Sequence, residues 1–267
     1  MQLSHEDVEL FHHQGYLSLP VLFDAREIEA LADEAARLSA LDCPQRILEK
    51  DSDITRSVYW VHGLSELFDR LVRDPRLLGP ARALLSDQVY LYQTQLNPKA
   101  SVLGDVWKWH QDYLYWHRED GMPNDSVLSV ALYLDEVTEF NGPLFVVPQT
   151  HRAGLEEETA TRPDASGWEN TVNAEFRHEV DPRTLARLVD QYGLASTRGV
   201  RGTVFVFHGN LLHSSPPNLS PALRTIVFAR YAAMHNQLRP VAQPRPSWIA
   251  NREPAPVTAL TEPLLAN

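Results

Sequence analysis

The sequence predicts a mainly β fold with helices on its outside, and three observations point to it. Hydrophobic residues make up 43% and charged residues 22% of the 267 residues, the proportions of a soluble globular protein with a substantial core. Residues 4–85 carry apolar positions at helical spacing. Residues 89–231 contain short β-branched and aromatic runs separated by turn residues, a pattern typical of a β-sandwich or barrel.

The first 88 residues are predicted to be mostly helical. Ser4 is a good N-cap for the first helix, and Gly15 is a good residue to end it. Residues 41–63 are mixed in character and are predicted to be loop. In chain order the predicted elements are a helix over 4–16, a short strand over 16–20, a helix over 24–38, and two short helices over 64–85 that are broken near Asp74 and Pro75.

Residues 89–235 are predicted to form the β core of one domain that spans residues 1–267. The strand candidates are 89–97, 128–134, 144–147, 203–207 and 225–231. Residues 152–196 interrupt them as a polar insertion with one helix, over 181–192. The tail, residues 236–267, contains many prolines and is predicted to wrap the surface.

Charge and cysteine content narrow the class of protein. The 24 Lys and Arg residues against 35 Asp and Glu give a net charge of −11, and no basic cluster is present, which argues against binding to nucleic acid or anionic membranes. Cys43 is the single cysteine, so an internal disulfide and a cysteine-based zinc site are excluded. The N-terminus lacks a secretory pattern and no apolar stretch is long enough to span a membrane, so we expect a cytoplasmic protein.

Three residues form a candidate metal site. His110 and Asp112 are two residues apart on a segment expected to be extended, where both side chains point to the same side. His213, which follows a strand-like run, offers a third ligand. Two histidines and one carboxylate that leave positions open are the ligand set of non-haem iron(II) oxygenases. A surface loop or a simple hydrogen-bonded pair is the alternative reading of His110 and Asp112.

Arg224 is a candidate anion-binding residue. It follows His213 by eleven positions and begins an apolar run, residues 225–228. A buried strand seldom begins with a guanidinium unless an anion pairs with it, and the planar fork of arginine suits a carboxylate. The alternative is a strand-end arginine that is exposed or paired with a local Asp or Glu.

Together these residues resemble the phytanoyl-CoA dioxygenase family of iron(II)/2-oxoglutarate oxygenases, and the resemblance covers most of the chain. The motifs that are similar to the family pattern are Phe11-x3-Gly15-Tyr16-Leu17, Asn141-Gly142-Pro143-Leu144 and Val147-Pro148-Gln149-Thr150-His151. Three more are similar to the bacterial ectoine and free L-proline hydroxylases: Trp109-His110-Gln111-Asp112-Tyr113, Trp116-x-x-Glu119-Asp120-Gly121-Met122, and Arg46-Ile47-Leu48-Glu49-Lys50.

The resemblance implies a double-stranded β-helix core, also called a jelly roll, with Fe(II) held by His110, Asp112 and His213 and no further catalytic residue. It implies 2-oxoglutarate as cosubstrate and O2 as oxidant. The residues implied for 2-oxoglutarate are Arg224, Ser215, Ser129, Gln93, Asn97 and Trp107. Those implied for the substrate are Trp116, Gln95, Phe207 and Phe228.

The implied reaction is hydroxylation of an unactivated C–H bond of a small free L-amino acid or amino-acid derivative, with conversion of 2-oxoglutarate to succinate and CO2. The carboxylate at Asp112 argues against halogenation, since related halogenases carry a small residue there. Ile226 replaces an asparagine of the ectoine enzymes, and His208 replaces an aspartate found in both the ectoine and the proline enzymes, which disfavours ectoine and leaves proline open. An apolar Ile226 near the pocket favours a more aliphatic, leucine-like substrate. Phytanoyl-CoA is disfavoured, because no basic cluster is available for the CoA phosphates.

Two other functions fit the same residues. One is an oxygenase that tailors a larger natural-product intermediate by hydroxylation, desaturation or cyclisation. The other is a non-catalytic jelly-roll protein that holds a structural metal such as zinc. Arg224 and Ser215 argue against the second, because a structural metal site does not need them. The sequence leaves the oligomeric state open.

Overall fold

The computed structural model describes residues 2–154, 159–161, 167–173 and 177–265. Its helices are α1 (His5–Gln14), α2 (Ala25–Ser39), α3 (Val61–Leu64), α4 (Glu66–Arg73), α5 (Pro75–Leu85), α6 (Asp112–Asp120) and α7 (Pro182–Tyr192), with 3₁₀ turns at Thr150–Arg152 and Trp168–Thr171. Its strands are β1 (Tyr16–Leu19), β2 (Arg46–Leu48), β3 (Thr55–Tyr59), β4 (Val89–Lys99), β5 (Trp107–His110), β6 (Val127–Tyr133), β7 (Phe145–Val146), β8 (Thr159–Thr161), β9 (His178–Val180), β10 (Ala195–Ser196), β11 (Val204–His208), β12 (His213–Ser215) and β13 (Arg224–Ala233).

The predicted helix ends are explained by local chemistry. Ser4 and Asp7 form a capping box at the start of α1, and Asp24 and Glu27 do the same for α2. Gly15 ends α1 with a φ of 87°, a left-handed conformation that glycine adopts without steric cost. The helices predicted in the first 85 residues are confirmed.

Two antiparallel sheets form the core. The larger has the order β1-β11-β6-β13-β4-β3-β2, and the smaller has the order β10-β7-β12-β5. Alternate residues of β6, β11 and β13 face opposite sides of the larger sheet. One set packs against the helices: Val130, Leu132, Val204, Val206 and Val227. The other set packs toward the smaller sheet: Ala131, Tyr133, Phe205, Phe207, Ile226 and Phe228. A larger sheet covered by helices and closed by a smaller one is the predicted jelly roll.

The prediction that residues 41–63 are loop is wrong, because this range contains β2, β3 and α3. The sequence signal is weak since β3 carries polar residues at buried positions. Arg56 is 1% exposed and forms an ion pair with Glu49 at 2.8 Å, and Ser57 is fully buried. Polar side chains at buried positions interrupt the apolar alternation that identifies a strand.

Three further segments differ in detail from the prediction. Asp112 opens α6 and does not continue the extended segment, although Gln111 before it is extended. The helix of the insertion is confirmed as α7, with Asp181 as its N-cap, whereas residues 155–158, 162–166 and 174–176 of the insertion lie outside the described residues. The tail does more than wrap the surface, because it buries Arg245, Ile249 and Ala250.

Among the helices of the described ranges, none is long and apolar enough to cross a membrane.

Candidate active site

The three candidate metal ligands meet because β12 pairs with β5. His110 is the last residue of β5 and lies directly opposite His213, the first residue of β12. Asp112 follows after one extended residue, so its carboxylate turns back toward the two rings. The His110 Nε2–Asp112 Oδ1 distance is 3.5 Å and the His213 Nε2–Asp112 Oδ2 distance is 4.0 Å. One ligand atom from each residue lies within 4.8 Å of the others.

The hydrogen bonds of both rings suit a metal ligand. His110 Nδ1 donates to the Lys108 carbonyl oxygen at 2.6 Å, and His213 Nδ1 donates to the Leu211 carbonyl oxygen at 2.9 Å. A protonated Nδ1 leaves Nε2 as the ligand atom and fixes the orientation of the ring. Burial, assisted by His110, lowers the pKa of His213 to about 4, so its imidazole is neutral at pH 7.

Asp112 is held in its ionised form. Burial alone would raise its pKa, but the charge of Arg230 and the contacts with His110 and His213 lower the pKa below its usual range. Two imidazoles and one carboxylate on one side of a small space are a donor set that fits a divalent transition metal with open positions.

A pair of buried cations lies on the larger sheet. Arg224 is 0% exposed, and it lies directly opposite Lys99 of β4, which is 2% exposed. Arg224 donates to Asn97 Oδ1 at 3.0 Å and to Ser215 Oγ at 3.4 Å, and Lys99 Nζ donates to Ser215 Oγ at 2.7 Å. Burial lowers the pKa of Arg224 to about 10, and burial together with Arg224 lowers the pKa of Lys99 well below its usual range.

No carboxylate of the described residues lies within 4.0 Å of either cation. Arg224 Nε is buried without a hydrogen-bond partner. Two cations that face each other across neighbouring strands repel, and burying them without a counter-charge is costly. This part of the site is therefore built for an anion, and the fork of Arg224 suits a carboxylate.

A row of polar side chains on β4 runs along the same face of the larger sheet. Its members, at every second position, are Gln93, Gln95, Asn97 and Lys99. Gln93 Nε2 donates to the Ile249 carbonyl oxygen at 2.6 Å, and Gln95 Nε2 donates to Tyr59 Oη at 3.2 Å. The strand pairing puts Gln93 opposite Arg230 of β13, at the other end of the row from Lys99. The row therefore connects two ends of one site.

A single cavity joins the metal ligands to this polar row. Its empty space, counted with its opening to solvent, is about 640 Å³. The lining residues are His110, Asp112 and His213, the polar residues Gln93, Gln95, Asn97, Thr171, Ser215, Arg230 and Arg245, and the apolar or aromatic residues Tyr59, Trp107, Tyr115, Trp116, Leu144 and Phe228.

Several residues singled out from the sequence lie in this lining. Trp116, on α6, packs edge-on against Tyr92 with ring centroids 5.2 Å apart. Trp107 lies under Arg56, whose guanidinium carbon is 3.9 Å from the ring centroid. Gln93, Gln95, Asn97, Ser215 and Phe228 also contribute to the wall.

Three predicted residues lie behind the wall, namely Arg224, Phe207 and Ser129. Arg224 is fully buried and contacts the lining residues Asn97 and Ser215. Phe207 packs edge-on against His213 at 5.0 Å and is outside the lining. Ser129 Oγ lies 3.4 Å from Asp112 Oδ2, and the pairing places Ser129 opposite Arg230, six residues along β13 from Arg224. Phe207 and Ser129 therefore support metal-ligand side chains at the end of the site away from Arg224.

The two departures used to judge the substrate lie outside the cavity lining. Ile226 is fully buried in the apolar cluster between the sheets. His208 packs near His151, with ring centroids 5.3 Å apart. Ile226 therefore does not contact the cavity as expected. Its apolar side chain gives no reason to expect an aliphatic substrate.

The residues that the sequence reasoning missed are Lys99, Arg230, Arg245, Tyr59, Tyr115, Thr171 and Leu144. Two of them carried a readable signal. Lys99 continues the alternation of polar residues along β4, and Arg230 places a second guanidinium inside an apolar run. Arg245 carried none, because it reaches the site from the tail through contacts distant in sequence.

Arg245 is held by a buried ion pair that fixes the tail to α6. Its Nε donates to Asp120 Oδ1 at 2.9 Å, and Asp120 is 0% exposed. Asp120 also accepts a hydrogen bond from Tyr92 Oη. This pair places Arg245 at the wall of the cavity.

We expect Asp120→Asn to destabilise the fold by about 3–5 kcal/mol, because it leaves the Arg245 cation buried without its partner. Chemical denaturation would measure the change. The double variant Asp120→Asn with Arg245→Gln removes both charges, and its loss should be smaller. Equal losses in the single and double variants would contradict a stabilising ion pair at this position.

Comparisons with known proteins agree with this geometry. Residues 11–226 match the family model described as phytanoyl-CoA dioxygenase, PhyH. The chain belongs to the PhyH family. The resemblance predicted from the sequence is thereby confirmed, and solved relatives share the fold of this chain.

The PhyH chain is similar to two kinds of characterised enzyme. It is 34% identical over 249 residues to the L-proline trans-4-hydroxylase of Streptomyces griseoviridis, covering 92% of each chain. It is 36% identical over 258 residues to the ectoine dioxygenase of Bordetella bronchiseptica, covering 94% of this chain and 83% of the relative.

Solved structures of EctD from S. alaskensis share the fold. The structure with 2-oxoglutarate and 5-hydroxyectoine superposes with a TM-score of 0.85 at 34% identity, covering 98% of this chain and 89% of EctD. The structure with bound Fe gives a TM-score of 0.84 at 33% identity. Such agreement over almost the whole chain indicates a common architecture from α1 to the tail.

Proposed function

We propose that this PhyH-family protein is an iron(II)/2-oxoglutarate-dependent dioxygenase that hydroxylates an unactivated C–H bond of a small free L-amino acid or amino-acid derivative, proline-like or leucine-like. The reaction consumes R–H, O2 and 2-oxoglutarate and yields R–OH, succinate and CO2. It takes place in the cytoplasm. The observation that carries the proposal is one cavity that joins the cluster of His110, Asp112 and His213 to Asn97 and Ser215. Both of these side chains accept hydrogen bonds from the buried cation Arg224, and Ser215 also accepts one from Lys99.

His110, Asp112 and His213 hold Fe(II), and the bound iron supplies the oxidative chemistry with 2-oxoglutarate and O2. The chain's own residues prepare that site. The Lys108 and Leu211 carbonyl groups fix the two rings. Ser129 and Phe207 act through Asp112 and His213, since they contact these ligands from behind.

2-Oxoglutarate carries two carboxylates. The end of the cavity formed by Asn97 and Ser215, next to the buried Arg224, suits the carboxylate that lies away from the metal. Arg224 supplies a two-pronged contact, Ser215 Oγ a hydrogen bond, and Lys99 additional positive charge. Asn97 orients the guanidinium through the bond of 3.0 Å from Arg224. Trp107 lines the same cavity beside these polar groups.

The substrate occupies the other end of the cavity. Trp116 and Phe228 offer aromatic faces that cover an aliphatic ring or chain, and Gln93 and Gln95 offer polar groups beside them. Gln93 belongs to this end because the pairing of β4 with β13 separates it from Lys99 by six residues.

The experiment is succinate formation from 2-oxoglutarate with Fe(II) and O2, across free L-amino acids including proline and leucine, with ectoine added. Each mixture is examined by mass spectrometry for a product one oxygen atom heavier. We expect succinate and hydroxylated product in equal amounts from at least one small amino acid. Omission of Fe(II), or chelation with EDTA, should abolish both.

Other outcomes separate the alternatives. Slow succinate formation that no panel member accelerates would contradict the amino-acid assignment and favour a larger substrate. Metal binding without any dependence on 2-oxoglutarate would contradict the enzyme assignment and favour a structural metal site.

A further inference from the structure

Arg230 is a buried cation at the centre of the cavity wall. It lies in the middle of β13, is 6% exposed and lines the cavity beside Trp116 and Phe228. Its guanidinium carbon is 5.8 Å from the Trp116 ring centroid and 5.0 Å from that of Phe228. Nε and Nη1 are both buried without a hydrogen-bond partner among the described residues. A guanidinium in this state offers donors to a ligand.

Two other arginines near the cavity already have a carboxylate partner within the protein. Arg245 pairs with Asp120, and Arg56 pairs with Glu49 at 2.8 Å. Arg230 has only Asp112, at 3.6 Å from Nε to Oδ2, which is longer than a hydrogen bond. Asp112 belongs to the proposed metal site, where its charge is shared with the metal. Arg230 therefore retains positive charge and unused donors that face the cavity.

The position of Arg230 separates it from the Arg224 end. Six residues of strand span about 20 Å of backbone, and the two arginines contact different groups: Arg224 contacts Asn97 and Ser215, and Arg230 lies beside Asp112. The two guanidiniums thus serve two different anions. One end is suited to the distal carboxylate of 2-oxoglutarate, which leaves Arg230 for an anionic group of the substrate.

We propose that Arg230 binds the carboxylate of the substrate and makes this protein a hydroxylase of molecules that carry a free carboxylate. The proposal rests on the proposed function, which makes this cavity the substrate site. The fork of Arg230 matches a carboxylate, and Trp116 and Phe228 cover the apolar part of the molecule next to it. Anchoring the carboxylate beside Asp112 holds the rest of a small substrate near the metal ligands.

The test compares acids with their carboxamides, using L-proline with L-prolinamide and L-leucine with L-leucinamide. The wild-type protein should strongly prefer the acid. Arg230→Gln should raise the KM of the acid by about 100-fold or more, with little change for the amide, so that the preference collapses. The concentration of 2-oxoglutarate for half-maximal rate should change by less than about 2-fold, because the Arg224 end is intact.

Arg198→Gln is the matched control, since it makes the same substitution at an exposed arginine outside the cavity lining. We expect it to retain the wild-type preference for the acid. If Arg230→Gln weakens Fe(II) binding and slows acid and amide to the same degree, Arg230 only positions Asp112 and the proposal is overturned. A retained preference for the acid in Arg230→Gln would overturn it as well.

Binding measurements separate this proposal from the proposed function. Acid and amide pairs are titrated by calorimetry, without O2, into protein loaded with Fe(II) and 2-oxoglutarate. Arg230-dependent preference for acids without turnover of any of them would support the carboxylate site and contradict amino-acid hydroxylation. Turnover of an amino acid with equal binding of acid and amide would support the hydroxylase and overturn the role of Arg230.

Discussion

Replacing Asp112 by Ala is expected to abolish iron binding and hydroxylation together. The variant removes the only carboxylate of the three-residue cluster and leaves the rings of His110 and His213. Loss of a residue that merely supports a ligand costs up to about 100-fold in metal affinity or activity, so loss of the ligand itself should exceed that. Fe(II) titration and succinate formation measure the two effects.

Asp190→Ala is the control for this prediction, because Asp190 is exposed on α7 and outside the cavity lining. It should bind Fe(II) and turn over as the wild-type protein does. Asp112→Asn keeps the size of the side chain and should lose activity as well, which separates loss of the ligand from loss of packing. Full activity in either Asp112 variant would contradict the metal assignment.

Replacing Arg224 by Met is expected to raise the 2-oxoglutarate concentration for half-maximal rate by about 100-fold, because hydrogen bonds to a charged group contribute roughly 1.5–3 kcal/mol each. Methionine keeps much of the volume of the buried side chain. The dependence on the amino-acid substrate should change much less, since Arg224 contacts Asn97 and Ser215 and lies away from Asp112. Initial rates at varied cosubstrate concentration measure the effect.

Thermal unfolding gives the same prediction an independent readout. Without cosubstrate, Arg224→Met should be at least as stable as the wild-type protein, because it removes a buried cation that has no counter-charge. Added 2-oxoglutarate should raise the Tm of the wild-type protein and not that of the variant. Arg198→Met, at an exposed position on the surface, should keep both the rate dependence and the shift. An unchanged cosubstrate requirement in Arg224→Met would show that the carboxylate binds elsewhere.

Much of the fold could be predicted because its signals are local. Capping residues such as Ser4 and Asp24, the glycine after α1, and the apolar runs of β6, β11 and β13 are all readable over a few residues. Strand β3 could not be predicted, because its residues Arg56 and Ser57 are polar and yet buried. The ion pair between Arg56 and Glu49 forms only in the folded chain.

The metal ligands could be predicted only in part from their own pattern. His110 and Asp112 are close in sequence, but His213 meets them through the pairing of β12 with β5, which spacing alone does not reveal. The similarity to a known family supplied that link. Arg224 was readable because a charge begins an apolar strand, and the same reasoning applied to Arg230 would have found it.

The wall of the cavity was the least predictable part. Phe207 and Phe228 belong to the same inner face of the larger sheet, yet Phe228 lines the cavity and Phe207 lies behind His213. That difference depends on how the smaller sheet closes over the larger one. Arg245 enters the wall from the tail through its pair with Asp120, a contact between residues 125 positions apart.

The most direct test of the central claim is the fate of the two oxygen atoms of O2. Turnover under ¹⁸O2 with Fe(II), 2-oxoglutarate and the preferred amino acid is analysed by mass spectrometry. Dioxygenase chemistry at His110, Asp112 and His213 predicts one ¹⁸O atom in succinate and one in the hydroxylated product. Succinate that contains no ¹⁸O would contradict the account.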